Sequence, residues 1–127
     1  MSNLDLSLKL FGEKCNRLLK ESEIRFAGIV DKNGKLITGG FKEGITPYEN
    51  DETKLQSFFE FVSKASIRNE LDESLGPINY LAARRDKAVL VSFPFPITQI
   101  LLLISAEPTV NIEILAKKVV EIFTNVN

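Results

Sequence analysis

Leu4, Leu8, Phe11, Cys15, Leu18 and Leu19 recur at the spacing of one helix face, while Lys9, Glu13, Lys14, Asn16 and Arg17 fill the other. That period predicts a helix from about Leu4 to Lys20. Gly12 lies inside it, where glycine is less favourable than alanine by about 1 kcal/mol. At Ile24 the rhythm changes to alternation: Ile24, Phe26, Gly28 and Val30 face one way, Arg25, Ala27, Ile29 and Asp31 the other. Both sets are mostly apolar, as in a strand covered on both sides. Asn33-Gly34 follows, and such a pair supplies the two positive-φ residues of a type I′ hairpin turn. The return strand runs from Lys35 to about Phe41, weakened by Gly39-Gly40, and a loop continues through Gly44, Pro47 and Asn50.

Asn50 or Asp51 can cap the next helix, with Asp51 and Glu52 favourably placed in its first turn. This helix is expected to reach about Leu71. Leu55, Phe58, Phe59 and Val62 form its stripe, and Phe61 and Ala65 widen the apolar arc to roughly 160°, more than one packing surface requires. After Gly76-Pro77 three strands are predicted, Ile78 to Arg84, Lys87 to Phe93 and Thr98 to Ser105, with Arg85-Asp86 at a hairpin tip. Ile100 to Ile104 is apolar at consecutive positions, so helices must cover both faces of the sheet. Thr109 or Asn111 can cap a last helix, whose apolar face is Ile112, Leu115, Ala116, Val119, Ile122 and Phe123. The order is α-β-β-α-β-β-β-α, with no internal repeat or linker. Residues 1–127 are expected to form a single domain, a size that buries roughly two-thirds of its unfolded surface without disulfides or metal.

Composition narrows the chemistry. The formal net charge is −1, from 16 basic and 17 acidic residues, so the basic surplus of a nucleic-acid binder is missing. Histidine is absent, and with it the commonest general acid/base and the commonest neutral metal ligand. Cys15 is the one cysteine. It falls on the apolar stripe, reads as a buried structural thiol, and fits a reducing compartment. No Cys/His set for zinc exists, and Glu49, Asp51 and Glu52 read as helix-start charges. Gly39-Gly40 with Gly44 matches neither a phosphate loop nor a dinucleotide fingerprint. No cofactor, metal or catalytic residue is therefore expected. The N-terminus lacks a secretory pattern, and the longest apolar run is too short to span a bilayer, so a cytoplasmic protein without membrane insertion is expected.

Two features remain open at this level. Arg84, Arg85 and Lys87 cluster near a hairpin tip, where Arg25 and Arg68 could join them. They read as a solvated turn or as an anion or acidic-partner contact, and Arg84 on an edge strand could instead deter unwanted pairing. The Phe41 to Asn50 loop, with Phe41 and Tyr48, is long enough to be a lid or simply a loop packing its own rings.

The order of elements and the burial pattern resemble the roadblock/dynein-light-chain superfamily, related to longin and profilin-like folds. More narrowly, Ile24-Arg25-Phe26-Ala27-Gly28, Gly39-Gly40, Glu43-Gly44, Leu75-Gly76-Pro77, Ser92-Phe93-Pro94 and Ser105-Ala106-Glu107-Pro108 are similar to a group of short uncharacterised archaeal proteins. The resemblance implies an α+β fold with a single five-stranded antiparallel sheet and helices on both faces. It also implies a homodimer joined through the middle helix and the strand after it, some such dimers docking a small GTPase or other signalling protein. By position the interface residues would be Phe58, Phe61, Ala65, Ile78, Tyr80, Ala82 and Arg84. A non-catalytic scaffold is the function so implied. The alternative is a small-molecule sensor of PAS- or GAF-like shape, with the 41–50 loop as lid.

Overall fold

Strand β1 (Ile24–Val30) is buried at all 7 of its residues, which is possible only if something covers each face. The computed structural model describes residues 3–67, 70–95 and 99–124. In it β1 lies inside one five-stranded sheet with β2 (Leu36–Phe41), β3 (Leu81–Arg84), β4 (Val89–Phe95) and β5 (Ile100–Ala106), in the order β2-β1-β5-β4-β3. Every neighbouring pair is antiparallel. A hairpin (β1–β2) and a three-strand meander (β3–β4–β5) thus join through β1 and β5. The fold is α+β with a single five-stranded antiparallel sheet, as the resemblance in element order implied.

Helices α1 (Asn3–Leu19) and α4 (Ile112–Thr124) cover one face. Cys15 and Leu18 of α1 and Leu115, Val119 and Ile122 of α4 share a core with Ala27, Ile29, Leu102 and Ile104 from the sheet. Each fully buried aliphatic side chain here contributes about 1.5–3 kcal/mol. Gly12 has its reason in this layer. A Cβ there would stand 2.9 Å from the Thr38 hydroxyl oxygen, so its absence lets α1 approach the edge strand β2. Phe11 stacks on Phe95 and Phe123 at 5.8 and 6.1 Å, and those two rings meet at a tilt at 5.7 Å.

Helix α2 (Glu52–Ile67) covers the other face and is seated differently. Phe59 and Val62 pack on Phe26, Val30, Leu101 and Leu103. Next to them Ser63 and Ser66 are buried. The Ser63 hydroxyl donates to the Asp31 carbonyl at 3.0 Å, and Ser66 and Ser92 share a hydroxyl hydrogen bond of 2.7 Å. A neutral hydrogen bond nets only about 1 kcal/mol, less than a buried leucine. The α2 layer is therefore the more weakly held of the two.

The caps follow the expected chemistry. Asp51 Oδ1 accepts from the backbone N–H of Thr53 (2.9 Å) and Lys54 (3.3 Å), and Asn111 Oδ1 accepts from Ile114 N–H (3.0 Å).

Three expectations need correction. The β1–β2 turn is not type I′, because Gly34 (φ 83°) has the positive φ and Asn33 does not. Gly34 N–H reaches the Asp31 carbonyl and Asp31 N–H reaches the Lys35 carbonyl, the pattern of a type I turn closed by a glycine bulge. Asp31 Oδ1, accepting from Asn33 and Lys35 N–H, selects this alternative. Second, α2 ends at Ile67 instead of Leu71, and a short helix α3 (Asp72–Leu75) occupies the connection. Third, the strand expected from Ile78 begins only at Leu81. Leu81 pairs with Ser92, so one more step of the ladder would set Asn79 opposite Pro94, which has no N–H to give. Ile78 and Tyr80 consequently lie outside the strand.

Gly34 is also where the hairpin touches α2. A Cβ would come within 2.5 Å of the Glu60 backbone nitrogen. Gly34→Ala is expected to destabilise by about 3 kcal/mol, from positive φ plus a backbone collision. Gly44 has φ 82° but open space around it, so Gly44→Ala is expected to lose only about 1 kcal/mol. Urea midpoints of the two variants measure the difference. A second outcome concerns Cys15, whose thiol is pushed by burial from 9.0 up to about 12. Iodoacetamide at mildly alkaline pH should label it only after unfolding; labelling of the native protein would contradict the burial. Because the folded value is raised, the associated stability is present below pH 9 and is lost as pH rises toward 12.

Candidate functional site

Anchored by Gly34, Ser63 and Ser66, the N-terminal half of α2 overhangs the sheet and leaves beneath it an open cleft of about 780 Å3. Phe26, Leu90, Leu103 and Ser105 line the sheet side, and Lys54, Leu55, Phe58 and Phe59 the helix side. One end is walled by Phe41, Tyr48 and Glu49, the other by Arg85, Asp86 and Lys87 at the β3–β4 tip.

The loop wall is held by Arg25. Ile24 pairs with Ala106 and Phe26 with Ser105, so Arg25 is the extra residue of a bulge. A bulge re-aims side chains, and here both Arg25 and Phe26 line the cleft. Arg25 is 7% exposed. Its guanidinium donates to the Thr46 carbonyl at 3.1 Å and to Glu107 Oε1 at 3.4 Å, and lies 4.0 Å from the Tyr48 ring centroid. Phe41 meets Phe26 edge-on at 4.9 Å. The two loop-end rings therefore pack on β1 rather than on each other. Lys42 ties the loop down as well, its N–H bonding the Arg25 carbonyl and its Nζ the Glu21 carbonyl.

The basic cluster expected from the sequence is divided. Arg25, Arg85 and Lys87 border the same cleft. Arg84 pairs with Val89 on the α4 side of β3, where its guanidinium donates to the carbonyls of Pro108 and of Val110 (2.8 Å). Arg68 lies outside the described residues. Among the described residues neither Arg85 nor Lys87 has an ion-pair partner, whereas Lys54 pairs with Glu49 at 3.7 Å.

A second surface lies on the outside of α2. Phe58, Phe61 and Ala65 follow one another at helical spacing, the first and last half-buried and Phe61 70% exposed. All four residues of β3 are exposed, and this strand ends the sheet. Strand alternation puts Leu81 and Ala83 on the α2 side, and Ala82 and Arg84 on the α4 side. Tyr80 also belongs to the α4 side, its ring 5.7 Å from Phe93 and its hydroxyl bonded to Glu113. That bond raises the Tyr80 phenol above its ordinary value. Exposed Leu71, Leu75 and Leu81 were not singled out from the sequence. The alternation of Leu81 with Ala83 was the available signal for one of them; Leu71 and Leu75 depended on the unforeseen end of α2.

Cys15 is buried in the α1 layer, where desolvation pushes its thiol up to about 12 and keeps it protonated. Among the described residues no group of His, Cys, Asp and Glu could hold a metal ion, and no helix is long and apolar enough to cross a membrane.

Solved structures share the architecture. The gliding protein MglB from Thermus thermophilus superposes with a TM-score of 0.69 at 14% identity, over 91% of this chain and 86% of that one. Myxococcus xanthus MglB gives 0.65 at 20% identity over 92% and 86%. A Roadblock/LC7 domain from Streptomyces avermitilis gives 0.62 at 9% identity over 87% and 89%. The fold is thus that of Roadblock/LC7 domains. No curated protein sequence matches the chain. A family model does match over residues 3–126, and the chain belongs to that family, the family of unknown function DUF6659.

Proposed function

We propose that this chain is a non-catalytic, homodimeric interaction module, in which β3 pairs with β3 of a second copy and the outer flank of α2 packs across the seam. The observation that carries it is Phe61, 70% exposed on α2, on the same side of the sheet as Leu81 of an uncovered edge strand. An exposed edge invites main-chain pairing. An apolar flank beside it supplies the burial that four ladder residues alone do not. Phe58 and Ala65 extend the flank along α2, and Ala82 and Arg84 take part through the β3 backbone. Ile78 and Tyr80, outside the strand, leave the proposed seam. The fold supports the reading too, since one MglB has been solved in a tetrameric arrangement.

The partner we infer for such a module is a small GTPase or another signalling protein, docked on the assembled dimer in the cytoplasm. The Roadblock/LC7 architecture supports that class, and the near-neutral charge of −1 disfavours nucleic acid.

Light scattering on the eluting protein at micromolar concentration should give twice the chain mass. Phe61→Lys combined with Leu81→Lys should give one chain mass with an unchanged circular dichroism spectrum, because both side chains are exposed. A wild type that elutes as a monomer, or a double variant that remains dimeric, would refute the interface.

A further inference from the structure

We infer that the cleft beneath α2 binds an aromatic organic anion, ring body against the sheet and acidic head at the β3–β4 tip. The cleft lies under α2 and Phe61 of the proposed dimer seam lies outside it, with half-buried Phe58 bordering both.

Its volume, about 780 Å3, is within the roughly 300–1,000 Å3 range of small-molecule sites. Aromatic rings line it from three sides. Phe26 rises from the sheet, Phe58 and Phe59 descend from α2, and Phe41 and Tyr48 close the loop side. Aromatic faces and edges favour a planar occupant over a flexible chain. The loop wall is already in place, because Arg25 holds Thr46 and Tyr48. Binding therefore need not order it first.

Charge sets the orientation. Arg25 is engaged with Glu107 and Thr46, and Lys54 with Glu49. At the opposite mouth Arg85 and Lys87 flank the single carboxylate of Asp86 and have no ion-pair partner among the described residues. A guanidinium and an ammonium at the lip of an apolar slot fit a carboxylate, sulfonate or phosphate head. A neutral ring compound would leave this excess cation unused, and a cation would be repelled by it.

The test titrates the full chain with anilinonaphthalene sulfonate, an aromatic anion, and with N-phenylnaphthylamine, which has a similar ring body and no charge. Saturable fluorescence enhancement at one sulfonate per chain is expected for the wild type. Arg85→Ala with Lys87→Ala, both exposed, should weaken the sulfonate about tenfold and leave the neutral amine unchanged. Leu55→Trp, filling the helix side of the cleft, should abolish both. Leu90→Trp repeats that test from the sheet side if the first variant loses its helical spectrum. Phe61→Lys with Leu81→Lys should bind as the wild type does, which separates this site from the dimer flank. Absence of saturable binding would overturn the proposal. So would binding that survives both tryptophan variants or disappears in the flank variant. Equal weakening of the sulfonate and the amine by loss of Arg85 and Lys87 would overturn the assignment of an anion.

Discussion

The antiparallel pairing of β1 with β5 is the contact on which the rest depends. It joins the N-terminal hairpin to the C-terminal meander across more than seventy residues of sequence, from Ile24 opposite Ala106 to Val30 opposite Leu101. Pairing at such separation bears a loop-closure penalty before any contact offsets it. The offset comes from burial, since β1 is buried throughout and β5 over most of its length. Two strands apolar on both faces cannot be satisfied by one layer of helices. The demand for α1 and α4 on one side and α2 on the other originates at this seam. So does the bulge at Arg25, the one irregularity of the β1–β5 ladder, which turns a cation toward the α2 side and ties down the 42–50 loop.

The two helical layers differ in how they meet that demand. On the α1 and α4 side leucine, valine and isoleucine interlock around Cys15, and the glycine at position 12 closes the remaining gap to β2. On the α2 side a smaller apolar contact is supplemented by serine hydroxyls and by the close approach of Gly34. The seating of α2 is polar near its C-terminal half, and its N-terminal half overhangs the cleft. Both surfaces of interest border it: the cleft beneath and the Phe61 flank outside.

Much of this was legible in the chain itself. The consecutive apolar run Ile100 to Ile104 required a doubly covered strand, and the wide arc with Phe61 and Ala65 marked an apolar flank on the middle helix, where Phe61 is exposed. What was hidden depended on partners remote in sequence. Asn33-Gly34 signals a type I′ turn locally, but Asp31 accepting from Asn33 and Lys35 N–H selects the other turn. The early start assigned to the third strand ignored Pro94, which lies opposite only once the β3–β4 register is known. Arg84 and Arg85 are neighbours in the chain yet serve different places, one bound to carbonyls beyond β5 and the other bordering the cleft. Gly12 looked like a flaw in a helix and is a clearance for Thr38. The cleft itself is a tertiary property, arising from where α2 is anchored rather than from any motif.

Hydrogen exchange of the intact protein over a dilution series tests the central claim most directly, that β3 and the outer flank of α2 form a self-association surface. The amides of residues 81–84 should be protected at high protein concentration and lose that protection together with those around Phe61 on dilution, while β1 and β5 stay protected throughout. Exchange in residues 81–84 that is the same at every concentration would contradict it.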